Sequence, residues 1–173
     1  MNEEQSMTQE TIVEDHKLVI RRTFAAPVER VYLAWTDPAQ MAQWYAPNPR
    51  WNQSRIDVEA VPGGRYDVTM CHPDGDEVHM VGRYDDVLPN KRLSFTLTWL
   101  GDSAGEVETL VTVDFRAVPE GTELTFTHDR QIDLEAVKST SEGWTGFMEM
   151  LESYLAGKTP LGSSTAACSR AAA

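Results

Sequence analysis

Apolar and polar positions alternate along most of this chain with a period of two. In Arg92 to Leu100, Leu93, Phe95, Leu97 and Trp99 share one side, while Ser94, Thr96 and Thr98 share the other. That is the pattern of a strand with one dry face and one wet face. The same alternation predicts seven strands: Lys17–Phe24, Ser54–Val61, Arg65–His72, Glu77–Val87, Arg92–Leu100, Glu106–Ala117 and Thr122–Arg130. Turn-forming clusters separate the later ones: Pro62-Gly63-Gly64, Pro73-Asp74-Gly75-Asp76, Pro89-Asn90-Lys91 and Pro119-Glu120-Gly121.

The period changes in two places. After the first strand, Val28, Val31, Tyr32 and Trp35 follow helical spacing, with Pro27 suited to the first turn. Asp37 can cap a second short helix, Pro38–Gln43, that opens on Pro38. In the last ordered stretch, Leu134 to Ala156, residues Leu134, Val137, Ser141, Trp144, Met148, Leu151 and Leu155 recur at steps of three and four. Gly157 and Pro160 then stop the helix. A lone long helix with one apolar stripe must bury it, and the only large partner is the sheet. The fold class is therefore α+β, with a seven-stranded antiparallel sheet, two short helices after strand one and a long C-terminal helix. A curved sheet and a covering helix can enclose a pocket.

The chain has 173 residues and 41% hydrophobic content, which is enough for one folded core. Residues 1–15 read as a flexible tail, 16–158 as the domain and 159–173, rich in Ala and Ser, as a disordered tail. The longest apolar runs are too short to span a membrane, and the start has neither a basic block nor an apolar one. The expected location is the cytoplasm. A net charge of −12 would repel nucleic acid and anionic membranes, so neither is an expected partner. Cys71 falls in a strand and Cys168 in the tail, which gives no reason to expect a structural disulfide.

Several strings in a fixed order resemble one family: RRTFAAPVERVYLAWTDPAQMAQWYAP (21–47), PGGRYDV (62–68), GRYDDVLPNKRLSFTLTW (82–99), VTVDFRAVPEGTELTFTH (111–128) and EGWTGFMEMLESYL (142–155). They are similar to bacterial homologues of the C-terminal domain of the activator of the ninety-kilodalton heat-shock chaperone ATPase. Those proteins belong to the START-like, or SRPBCC, helix-grip superfamily. The resemblance implies a Bet v-like helix-grip fold, with a curved sheet around the C-terminal helix and a cavity between them. It implies a small apolar or aromatic ligand and supplies no shared catalytic motif. None of these strings resembles the N-terminal chaperone-binding domain of the eukaryotic activator, so a co-chaperone role is not the expected one.

Strand parity and the helical stripes nominate the cavity wall. The strands offer Tyr66, Met70, Met80, Tyr84, Phe95, Trp99, Thr109, Phe126 and His128. The helices add Trp35, Trp44, Trp144, Phe147 and Met148. Rings stack and thioethers adapt, so this mixture suits an aromatic ligand. Gly82, Gly143 and Gly146 lie inside regular elements, where glycine costs about 1 kcal/mol against alanine. Each needs a reason, either room for a ligand or close backbone packing.

Two further functions are carried as alternatives. One is a cyclase or dehydratase-type enzyme acting on a bound aromatic or polyketide-like molecule, with His128, Tyr66 or Tyr84 moving a proton. The other is a chaperone-associated stress-response module. For His128 the plainer reading is a hydrogen bond to a backbone carbonyl. Asp85 and Asp86 read as a solvated strand end. The histidines lack metal-ligand spacing, so neither a metal nor a cofactor is expected. A homodimer through a sheet edge or the short helices is left open.

Overall fold

The computed structural model describes residues 9–72, 74, 75, 77–100 and 106–161. Its elements follow in the order β1 (Gln9–Val13), β2 (Leu18–Phe24), α1 (Val28–Thr36), α2 (Pro38–Trp44), β3 (Asn52–Val58), β4 (Arg65–Cys71), β5 (Glu77–Leu88), β6 (Arg92–Leu100), β7 (Thr109–Val118), β8 (Gly121–Asp129) and α3 (Leu134–Leu155). One antiparallel sheet runs β1-β2-β8-β7-β6-β5-β4-β3. The pairing of β2 with β8 joins the start of the fold to its last strand, with Ile20 opposite Phe126. Irregular register at Tyr84/Val87 and at Asn52/Arg55 bends the sheet.

Among the described residues there are eight strands, not seven. The additional one, β1, lies in the stretch expected to be a flexible tail. Its five residues are mostly exposed, so they show no dry face to read. Pairing holds them instead: Glu10 meets Arg21 at 2.6 Å, and Gln9 Nε2 donates to Thr145 Oγ1 at 3.2 Å. The rest of the expected tails, residues 1–8 and 162–173, lies outside the described residues. Cys71 is disulfide-bonded, which corrects the expectation for the cysteines; Cys168 lies outside the described residues.

Two of the helix ends follow signals read from the sequence, Asp37 and Gly157, and the structure adds a cap at Asp133. Asp37 Oδ1 accepts from the Ala39 amide at 3.1 Å, and Asp133 Oδ1 accepts from the Ala136 amide at 2.9 Å. At the C-terminus of α3, Gly157 takes φ of 90°. The Gly157 amide donates to Tyr154 O at 3.0 Å and the Lys158 amide to Ser153 O at 3.1 Å. That is a Schellman closure. The last turn of α3 has no basic residue of its own. Arg30 from α1 supplies one, donating to Leu155 O at 2.6 Å.

The core sits between the concave sheet face and the helices. Val137, Trp144, Met148, Leu151 and Leu155 turn into it from α3. Trp144 meets Phe126 at 4.5 Å between ring centroids. The short helices complete an aromatic cluster: Trp35 lies 5.1 Å from Trp44, and Tyr45 lies 4.9 Å from Phe147. Trp44 Nε1 donates to Ala34 O at 2.9 Å, which locks α2 back onto α1. No helix among the described residues is long and apolar enough to cross a membrane.

Candidate functional site

A cavity of about 420 Å³ opens between the first half of α3 and one end of the sheet. Register explains its place. Met70 pairs with Val78, Met80 with Trp99, and Leu97 with Thr109, so the end of β4, the start of β5, the end of β6 and the start of β7 lie side by side. Met70, Val78, Met80, Trp99 and Thr109 from these strands line the cavity, with Val107 just before β7. On α3 the wall is Ala136, Ser139, Thr140, Gly143, Trp144 and Phe147, again spaced by three and four. This second stripe is rotated from the core stripe and carries mostly small side chains. Pro47, Trp51, Gln131 and Ile132 close the rim, and the Trp51 ring sits edge-on to His72 at 4.9 Å. No described wall residue is ionisable.

Of the residues nominated from sequence, Met70, Met80, Trp99, Thr109, Trp144 and Phe147 lie on this wall. Trp35, Trp44, Tyr66, Tyr84, Phe95, Phe126, His128 and Met148 do not; the structure places them in the packed core. Tyr66 stacks on Phe95 at 4.4 Å, and Tyr84 meets Phe95 edge-on at 5.6 Å. These three belong to the filled half of the concave face. Parity assigns a side chain to a face but says nothing of its depth along the strand.

His128 lies behind the wall and is fully buried. Its bonds are to side chains and not to the backbone carbonyl expected for it. Trp144 Nε1 donates to His128 Nδ1 at 3.1 Å, and His128 Nε2 lies 2.7 Å from Thr109 Oγ1. The indole can only donate, so Nδ1 accepts and the neutral ring carries its proton on Nε2. Burial lowers its pKa to about 3, against a smaller opposing effect from Asp129. Protonation would set Nδ1–H against the indole N–H. Tyr66 and Tyr45 share a hydrogen bond at 2.7 Å, and burial raises both hydroxyl pKa values. The Tyr84 hydroxyl is buried without a hydrogen-bond partner among the described residues, and burial raises its pKa too.

The sequence reading missed Trp51, Pro47, Gln131, Ile132 and the small stripe of α3. A signal for the stripe existed: Ala136, Ser139, Thr140 and Gly143 repeat at helical spacing beside the apolar face. The three internal glycines divide. A Cβ on Gly143 would meet nothing within 4 Å, so this glycine fronts open space in the cavity. A Cβ on Gly82 would lie 1.8 Å from Thr96 O, and one on Gly146 2.0 Å from Pro47 O. Those two serve close backbone approach.

Sheet, covering helix and the apolar cavity that opens between them define a helix-grip protein of the START-like type. The chain belongs to the family described as Activator of Hsp90 ATPase homolog 1-like proteins, whose model matches residues 25–156. Solved structures agree on the fold. A protein from Rhodobacter sphaeroides is 26% identical, with a TM-score of 0.74, over 88% of this chain and 99% of that one. One from Rhizobium leguminosarum is 28% identical, with a TM-score of 0.71, over 86% and 99%. CalU16 from Micromonospora echinospora is 18% identical, with a TM-score of 0.67, over 89% and 86%, a likeness of fold alone. No curated protein matches the chain.

Proposed function

We propose that this protein binds a small apolar molecule with an aromatic part, held between α3 and the β4–β7 end of the sheet. The observation that carries this is the cavity itself: about 420 Å³, walled by Trp51, Trp99, Trp144, Phe147, Met70 and Met80. That volume falls within the range of small-molecule sites. Tryptophans offer flat faces for stacking, and the two thioethers adapt to shape. Gly143 supports the reading, because a glycine inside a helix is costly unless the missing side chain leaves needed room.

The proton-transfer alternative has less support. Neither His128 nor Tyr66 nor Tyr84 stands on the wall, and His128 has both ring nitrogens engaged within the protein. The chaperone-associated alternative draws on the family's description and on no feature of this site.

The test uses a neutral fluorophore, phenylnaphthylamine, which brightens in apolar surroundings. The protein should enhance its emission, and Gly143→Leu should abolish the enhancement while the melting transition is kept. Equal enhancement by the variant would place the probe elsewhere and remove this reading.

A further inference from the structure

The polar corner of the cavity has a definite donor and acceptor inventory, and it narrows the ligand class. Thr109 and Gln131 are both buried wall residues. His128 Nε2–H donates to Thr109 Oγ1, so the Thr109 hydroxyl proton is left for Leu97 O, 2.7 Å away. Gln131 Nε2 donates to His128 O at 3.1 Å; a carbonyl only accepts, so this contact settles which way the amide faces. Gln131 Oε1 then accepts from Thr140 Oγ1 at 2.8 Å. The Thr140 proton has a second taker in Val137 O at 3.1 Å, and in either case it is used within the protein.

Gln131 Nε2 keeps one N–H with no partner among the described residues. Thr140 and Thr109 keep oxygen lone pairs. The corner of Thr109, Gln131 and Thr140 therefore offers one amide donor beside hydroxyl acceptors, the exposed Ser139 adds a hydroxyl that can donate or accept, and there is no cation on the described wall. A carboxylate would find no counter-charge on this wall and would face the lone pairs of Thr109 and Thr140. A pure hydrocarbon would leave the Gln131 N–H desolvated and unpaired, which is costly. A hydroxyl that both accepts and donates satisfies the corner.

We infer that the cavity is built for an uncharged aromatic alcohol of the phenol type. Its oxygen accepts from Gln131 Nε2 and its proton goes to the Thr140 hydroxyl, with the ring among Trp99, Trp144 and the two methionines. This rests on the binding reading above and adds the polar group to it.

The experiment displaces phenylnaphthylamine with four naphthalenes at neutral pH: the parent hydrocarbon, β-naphthol, its methyl ether and β-naphthoate. β-Naphthol should bind about tenfold more tightly than the hydrocarbon and the ether, with naphthoate weakest. Thr140→Val keeps the shape and removes the hydroxyl, so it should erase the preference for naphthol over the ether while the hydrocarbon still binds. Equal affinities for the three neutral compounds, a preference for naphthoate, or a naphthol preference unchanged in Thr140→Val would each overturn the inference and leave the binding reading standing. If neither the fluorophore nor any naphthalene binds, the binding reading fails, and this inference with it.

Discussion

His128 is a titratable group placed where it should not titrate. Its pKa falls to about 3 in the fold against an ordinary 6.5, because burial disfavours the charged ring. The unfolded chain therefore binds more protons than the folded one below pH 6.5, and stability falls as the solution is acidified from there toward pH 3. From pH 7 to pH 5 this single ring should cost about 2 kcal/mol. His128→Gln cannot titrate, so urea unfolding should show its stability dropping by about that much less over the same interval. Equal drops in the two proteins would show that the ring is accessible to protons. The tyrosines give an opposed pair. Tyr84→Phe removes a buried hydroxyl without a partner among the described residues and should stabilise by about 1 kcal/mol or leave stability unchanged, whereas Tyr66→Phe breaks the bond to Tyr45 and should destabilise by roughly 1–3 kcal/mol. Melting temperatures check both, and a loss in Tyr84→Phe would mean that its hydroxyl has a partner after all.

At the scale of elements, α3 carries three functions along one rod. Its core stripe anchors it, its small stripe walls the cavity, and its ends are held by Asp133, Gly157 and Arg30. The two α3 glycines should respond in opposite directions. Gly143→Ala adds a methyl in open space and should raise stability by about 1 kcal/mol. Gly146→Ala drives a methyl into the Pro47 carbonyl and should cost roughly 1–3 kcal/mol, measured by chemical unfolding. Reading the two as alike from sequence was unavoidable, because both sit in equivalent helical surroundings and only the neighbour across the gap differs. The Asp37 cap was legible for the contrary reason: it joins residues two apart, so the sequence holds both partners, whereas the hold of Arg30 on Leu155 O spans the chain and was not. β1 was illegible because its hold is long-range, to β2 and to Thr145. Deleting residues 1–13 should expose the β2 edge, lower the melting temperature and promote self-association, visible by light scattering. An unchanged melt would make β1 an ornament of the sheet.

On the whole molecule, the decisive asymmetry is that α1 and α2 fill one half of the space under the sheet and leave the other open. Trp35, Trp44 and Tyr45 complete the filled half; the β4–β7 end holds the cavity. A ligand that binds only the folded state should stabilise the whole fold, by about 2.7 kcal/mol at a hundredfold excess over its Kd. Phenylnaphthylamine should give that rise with the native protein and none with Gly143→Leu, by thermal unfolding. Composition and pattern alone determined the order of the elements after β1, the two faces of those strands, the helix ends at Asp37 and Gly157 and the family, because each is written in local spacing or in strings of neighbouring residues. The eighth strand, the neutral state of His128, the different fates of Gly143 and Gly146 and the division of the concave face into core and cavity were decided by the tertiary structure. A void is a place no side chain reaches, and no residue's own pattern records how far its distant neighbours extend.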